Sequence, residues 1–341
     1  MNTRLDRGSI AQVCWAFFGI LLVACTPTPS ADVGATVRAA VAATQTAQPT
    51  PTWTSTPQPT ATPTTTSTVT PTATATPTPT PAVVDTPRPG TPPSGPYAVV
   101  GVTPDDSLSV RAGAGVDRAI VGTIPFYGIG VQVMGEGMQV GQGRWVPIQY
   151  GQVSGWVNEY FLARQVGWVD ENVAARAAQI IWAIHERDLG QLAGFVHPVQ
   201  GVRFSPYAYV RADATDEADR DRVFDAAEIR RFFEDQTVYR WGQFDGTGEP
   251  IDRTPEAYWE RFVYDVDFVR PDVVGYDEFV GSGNTINNIS QAYPQAVTVE
   301  YHFAGFDPQV GGLDWRSLRL VLEPYERSWY LVGIVHAEWT I

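Results

Sequence analysis

The sequence predicts a multidomain chain. A small all-β barrel or sandwich is followed by an α+β domain, a curved antiparallel sheet packed on helices. A signal peptide and a disordered Thr/Pro-rich tether precede both. Three observations carry this expectation. The composition breaks at Tyr97, with almost nothing but Thr, Pro, Ala and Ser from Pro49 to Pro96. Between 97 and 165, short apolar runs alternate with Gly-rich turns, the signature of closely spaced short strands. From Asp170 onward, helix-period patterns come first and strand patterns later, an order that suits α+β. At 341 residues, two domains are a fair prior.

The N-terminus reads as an export signal. Arg4 and Arg7 precede an apolar run from Val13 to Ala24, interrupted only by Cys14. That run is shorter than the ~20 residues a bilayer span needs, and suits a signal-peptide core. Leu22-Val23-Ala24-Cys25 then supplies a small residue before the cleaved bond and a thiol to carry lipid. It resembles the lipobox of bacterial lipoproteins. The resemblance implies removal of residues 1–24, lipidation of Cys25, membrane attachment through that lipid, and an extracytoplasmic location in the cell envelope. Residues 25–96 become the tether, with too little apolar surface to fold and Pro enough to favour polyproline II.

Charge narrows the partners. Residues 1–96 hold four Arg against three Asp, whereas 97–341 hold 19 Arg against 34 Asp and Glu, and the chain has no Lys. An acidic folded part argues against nucleic acid, whose phosphates demand a basic face. Cys14 and Cys25 are the two cysteines, so 26–341 has no thiol for a disulfide, a nucleophile or a metal.

The 97–165 strands are expected at Ala98–Val102, Leu108–Arg111, Ile120–Ile124, Val131–Met134, Trp145–Tyr150 and Gly155–Val157. Ala112-Gly113-Ala114-Gly115, Gly128-Ile129-Gly130 and Gly141-Gln142-Gly143 lie between them. Leu108-Ser109-Val110-Arg111-Ala112-Gly113, Val121-Gly122-Thr123-Ile124, Trp145-Val146-Pro147-Ile148, Gly155-Trp156-Val157 and Tyr160-Phe161-Leu162 come in the order of the bacterial SH3 (SH3b) family, which this segment resembles. Pro147 departs from the family strand and predicts an edge position. The resemblance implies an SH3-like barrel holding peptidoglycan peptides or glycan. Its candidate groove is Tyr97, Asp105, Asp106, Trp145, Tyr150, Trp156 and Tyr160. Core packing is the commoner outcome for Trp145 and Trp156, and a spacer without ligand is the competing reading of the module.

In 170–341, Val173 to Leu189 carries a helical stripe of Val173, Ala177, Ile180, Ile181 and Ile184, capped by Asp170 or Asn172 and followed by Gly190. Ala193–Val196 suggests a second short helix, and Val202–Val210 alternates as a strand. Asp225-Ala226-Ala227-Glu228 is a capping box. Thr254-Pro255 opens another helix. Ala296–Phe303, Ser317–Glu323 and Trp329–Glu338 end the chain as an antiparallel sheet. This order resembles the nuclear-transport-factor-2-like cone, and three segments (His197–Tyr207, Trp241–Gly246 and Trp329–His336) resemble uncharacterised C-terminal domains of bacterial lipoproteins, which bring no assigned activity.

Arg203, Tyr207, Tyr209, Trp241, Asp245, His302 and His336 are large polar or aromatic groups in apolar text, the candidate lining of a pocket in such a cone. Taken singly, each of them is read first as a core-edge aromatic or a salt-bridge partner. No metal site is expected, since His185, His197, His302 and His336 show no local ligand spacing. No cofactor is expected either. Gly281-Ser282-Gly283-Asn284 and Gly246-Thr247-Gly248 read as turns, and there is no Gly-x-Ser-x-Gly. The function expected is a non-enzymatic binding protein of the cell envelope. The alternative is a wall-targeted hydrolase using Asp, Glu or His of the C-terminal segment.

Overall fold

A computed structural model describes residues 95–216 and 219–340. The signal segment, Cys25 and nearly all of the tether lie outside the described residues. Within them the chain is mostly β-sheet with five helices. Strands β1 (Pro96–Val99), β2 (Ser107–Arg111), β3 (Ile120–Pro125), β4 (Val131–Val133), β5 (Met138–Val140), β6 (Gly143–Tyr150), β7 (Val153–Asn158) and β8 (Leu162–Gly167) come first. They surround a core of Tyr97, Val99, Val110, Ile124, Val131, Val146, Ile148, Val157 and Leu162. Val-rich, period-2 text predicts such a core, because alternate residues of a strand share one face.

Pro147 is not on an edge. β6 is paired on both sides, with β7 opposite Val146 and Trp156 opposite Pro147, and with β4 and β5 on its other flank. β4 pairs with Ile148 and Gln149, and β5 pairs with Gly143 to Trp145. Pro147 falls at the break between those two partners, where its missing N–H is not needed and its carbonyl accepts from Met134 N at 2.8 Å.

β8 joins the two halves of the described chain. It pairs antiparallel with β1 and parallel with β13 (Val273–Tyr276), Arg164 standing opposite Val273. The sheet continues through β14 (Val297–Phe303), β15 (Arg316–Tyr325), β16 (Ser328–Glu338), β9 (Val202–Ser205) and β10 (Arg222–Phe224). Fourteen described strands therefore form one mixed sheet, and β11 (Tyr239–Gln243) with β12 (Pro250–Arg253) makes a separate pair. The last three long strands are antiparallel, as their text predicts, but β9 runs parallel to β16 and β13 runs parallel to β8.

Helix α1 (Glu171–His185) begins at Asp170, whose side chain accepts from Asn172 N. Its stripe of Val173, Ala177, Ile180, Ile181 and Ile184 packs on one face of β14–β16. The helix stops at His185 rather than Leu189. Arg187 adopts a left-handed φ of 55°, and Asp188 caps a new helix, α2 (Leu189–Phe195), with Gly190 inside it. The expected strand Val202–Val210 ends at Ser205 because Pro206 has no N–H to continue the ladder. The Asp225–Glu228 capping box opens α3 (Ala226–Arg230), and Pro255 is the first residue of α4 (Pro255–Phe262). A short α5 (Ile289–Ala292) completes the set. The core under the sheet is aromatic, with Trp241 stacked on Tyr258 at 3.8 Å and Phe204 stacked on Phe232.

Candidate functional site

The period-2 alternation of β14 and β15 sorts their residues onto two faces. Val299, Tyr301, Leu318 and Leu320 point into the helix-covered core. Glu300, His302, Ser317 and Arg319 occupy the opposite face, where Glu300 stands across from Arg319 and His302 across from Ser317. That second face is closed by an irregular loop, residues 279–287, and by Tyr207 and Ala208 after β9. Together they leave a cavity of about 270 Å³.

Arg319 forms its floor and is 1% exposed. Its Nε donates to Glu300 Oε2 at 3.1 Å and its Nη2 to the Gly281 carbonyl at 2.6 Å. Its Nη1 has no partner although it is buried. Glu300 is saturated by Val280 N, Gly281 N, Ser317 Oγ and Arg319. Burial alone would raise its carboxyl, but Arg319, Ser317 and the two backbone N–H groups outweigh burial and hold it below the usual glutamate range. Gly281 is required here. A Cβ would lie 2.6 Å from Ser317 Oγ and 2.6 Å from the Trp315 ring, so only glycine lets this backbone reach Glu300 and Arg319.

His302, Ser317 and Glu300 do not make a nucleophilic relay. The Ser317 hydroxyl has one proton, and it goes to Glu300 at 2.5 Å. His302 Nδ1 therefore donates to Ser317 Oγ, at 2.9 Å, instead of accepting from it. A triad needs the histidine between serine and acid. Burial lowers the His302 pKa in spite of Glu300, which keeps the ring neutral near pH 7.

The structure divides the candidate pocket residues. Tyr207 lines the cavity. Asp245 touches its rim, accepting from the hydroxyls of Thr285 at 2.6 Å and Thr340 at 2.8 Å, with its pKa held low first by Thr285. His302 lies behind it, its ring 5.8 Å from Trp315. The other four are elsewhere. His336 is on the core face of β16, opposite Leu318, with Nε2 3.3 Å from Asp265. Trp241 is fully buried and donates to the Arg253 carbonyl. Arg203 donates to the Asp221 carbonyl, and Tyr209 is exposed on the surface. Arg319, Ser317, Trp315 and Phe279 were missed. The available signal was a charged residue flanked by apolar ones in strand text: Leu318-Arg319-Leu320, as also Val299-Glu300-Tyr301.

The seven candidate groove residues of 97–165 are also divided. Tyr97 is buried in the core and Tyr150 packs against it, its phenol pKa raised mainly by burial. Trp145 and Trp156 share the outer face of β6–β7 on either side of Pro147, Trp145 buried and Trp156 half-buried. The Tyr160 ring lies under the Arg270 guanidinium at 4.7 Å. Asp105 and Asp106 sit in the turn before β2, where Asp106 accepts from Ser107 N and hydrogen bonding from Thr103 lowers the Asp105 pKa.

Among the described residues, no group of three His, Cys, Asp or Glu is arranged to hold a metal ion, and no helix is long and apolar enough to cross a membrane. Compared with known proteins, the chain matches no family model, no curated protein and no solved structure.

Proposed function

We propose that this chain is a non-enzymatic binding protein of the cell envelope, and that the Arg319 cavity is its ligand site. One observation carries the binding reading: a cavity of about 270 Å³ is formed under the 279–287 loop, lined by the aromatic rings of Tyr207, Phe279 and Trp315 and by the polar side chains of Ser282, Thr285 and Asn287. The alternative, wall hydrolysis, needs a carboxyl with a raised pKa to act as acid. Glu300 beside the cavity and Asp245 at its rim are both held low, and Glu338, which lines it, is paired with Arg261 and Arg316.

The envelope location rests on Leu22–Cys25 and the run before it, with lipid on Cys25 as the membrane anchor and residues 26–96 as the stalk. The short strands β1–β8 around one small core support an SH3-like barrel, and with it a contact to wall peptide or glycan. A helix laid across a strongly paired antiparallel sheet supports the nuclear-transport-factor-2-like comparison for the rest. Trp156 on the outer face of the barrel is the aromatic to test. Full-length protein is expected to co-sediment with purified cell walls, and Trp156→Ala to weaken that retention. Cys25→Ser is expected to leave the membrane fraction. Wild-type protein that stays in the supernatant would refute the wall-binding reading.

A further inference from the structure

We propose that the cavity beside Arg319 takes a quaternary ammonium group, the cationic end of a choline-like molecule, with its methyl groups among Tyr207, Phe279 and Trp315 and its charge answered by Asp245 at the rim. This rests on the cavity being a ligand site at all.

Charge selects the sign of the ligand. Arg319 is 1% exposed and is answered by Glu300 at 3.1 Å. Glu338 pairs with Arg261 and lies 3.3 Å from Arg316, which Asp265 balances at 3.1 Å. These pairs cancel. Asp245 is left over. Its hydrogen-bond partners are neutral, the Thr285 and Thr340 hydroxyls and Gly246 N, and Arg211 acts on it more weakly than any of them. Thr285 is the first cause that holds its pKa low, so its carboxylate is ionised at neutral pH. The mouth thus carries one excess negative charge, on a stretch, 97–341, with 34 Asp and Glu against 19 Arg. Such a field draws cations and repels anions.

Hydrogen bonding selects the kind of cation. An ammonium with N–H groups needs acceptors to replace its water. The carboxylates here are already used. Glu338 holds two arginines, Glu300 holds Arg319, Ser317 and two backbone N–H groups, and one Asp245 oxygen holds two hydroxyls. The Asn287 side-chain oxygen accepts from Ile289 N at 3.0 Å. A quaternary ammonium has no N–H to satisfy and presents methyl groups, so it needs aromatic and apolar surface with a counter-charge nearby. Tyr207, Phe279, Trp315, Ala208 and Ala337 supply that surface. Phe279 is 40% exposed, and Ile286 and Trp339, each next in sequence to a lining residue, are exposed as well. At about 270 Å³ the cavity is smaller than the ~300–1,000 Å³ of sites for drug-sized molecules, which suits one such head group.

The test uses full-length protein and four probes: choline, glycerophosphocholine, methylammonium, and dimethylbutanol as the neutral carbon isostere of choline. Binding is read by calorimetry and by tryptophan fluorescence, since Trp315 is in the wall. Asp245→Asn and Phe279→Ala are measured beside wild type. Both residues are exposed, so both variants are expected to keep the wild-type melting temperature. Choline is expected to bind at millimolar concentration, and the isostere and methylammonium about tenfold more weakly or worse. Phe279→Ala should weaken choline about two- to tenfold, the effect of one cation–π contact. Asp245→Asn should weaken it about two- to fivefold, and added salt should weaken wild-type binding in the same way. Glycerophosphocholine separates two sources of the same group. Binding equal to that of choline supports a lipid headgroup, and binding of choline alone supports a soluble ligand. Isostere binding equal to that of choline would overturn the cation and leave the cavity as a ligand site. Tighter binding of methylammonium would overturn the quaternary class. Choline binding indifferent to both variants would place choline elsewhere and overturn the proposal. No binding of any probe would overturn both the proposal and the cavity as a ligand site.

Discussion

Residues 96–167 and residues 168–340 bury different kinds of side chain. The first stretch closes around aliphatic residues and one tyrosine, with Glu159 and Gln165 its buried polar groups. The second has an aromatic core and also buries Glu300, Arg319, His302, His336 and Asp221. Burying an aliphatic group is favourable wherever it packs, but burying a charge is tolerated only beside a particular partner. The second stretch therefore depends on more such contacts than the first, whose one buried charge, Glu159, is paired with Arg144 at 2.9 Å, and its cavity sits beside them.

The comparison breaks most visibly at Arg319. Arg319→Ala leaves Glu300 charged and buried, and should cost about 3–5 kcal/mol of stability, read by denaturant unfolding. Replacing both partners, Arg319→Met with Glu300→Leu, removes both buried charges but orphans Val280 N, Gly281 N and Ser317 Oγ, so it should recover only part of that loss. If the double variant is as unstable as the single one, the pair is a structural necessity rather than a feature of the site.

A second contrast is in pH dependence. Asp221 is buried, accepting from Ser205 Oγ at 2.5 Å and Arg211 N at 2.9 Å. Desolvation raises its pKa from 3.8 to about 6, and those hydrogen bonds only partly offset it. The native state thus binds more protons than the unfolded state between about pH 4 and 6. The contribution of Asp221 to stability is fully present below pH 4 and is lost as pH rises through about 6, on the order of 3 kcal/mol in all. Asp221→Asn should flatten that slope. An unchanged slope would assign it to other groups.

The smallest effect is expected at the exposed pair Arg240–Asp252, 2.6 Å apart on β11–β12. Arg240→Ala should leave the melting temperature unchanged within error, because solvent screens the pair. A loss approaching that of Arg319→Ala would mean that burial is not what separates the two ion pairs.

The same contrast governs what could be read from sequence. Six of the first eight strands (all but β5 and β8), the stripe of α1, the capping box at Asp225 and the three final strands follow from local patterns of apolar residues and caps. β9 was read as the start of a longer strand, but its parallel place beside β16, and β13 altogether, escaped because parallel pairing joins residues far apart in sequence, such as Val273 with Arg164. The site was only partly legible. Tyr207 and Asp245 were legible as polar groups in apolar text, but His302 and His336 fall on opposite faces of the sheet, a fact fixed by register. Phe279 and Gly281 come from a loop whose text reads as an ordinary turn.

The central claim is that the cavity beside Arg319 is a ligand site. Side-chain ¹⁵N NMR of the arginines in the full-length chain tests it directly, since a guanidinium buried beside Glu300 should exchange slowly and give a resolved signal. Titration with choline is predicted to shift the Arg319 signal in a saturable way, and Phe279→Ala to raise the midpoint. A resolved Arg319 signal that does not move at tens of millimolar choline, methylammonium or dimethylbutanol would contradict the account.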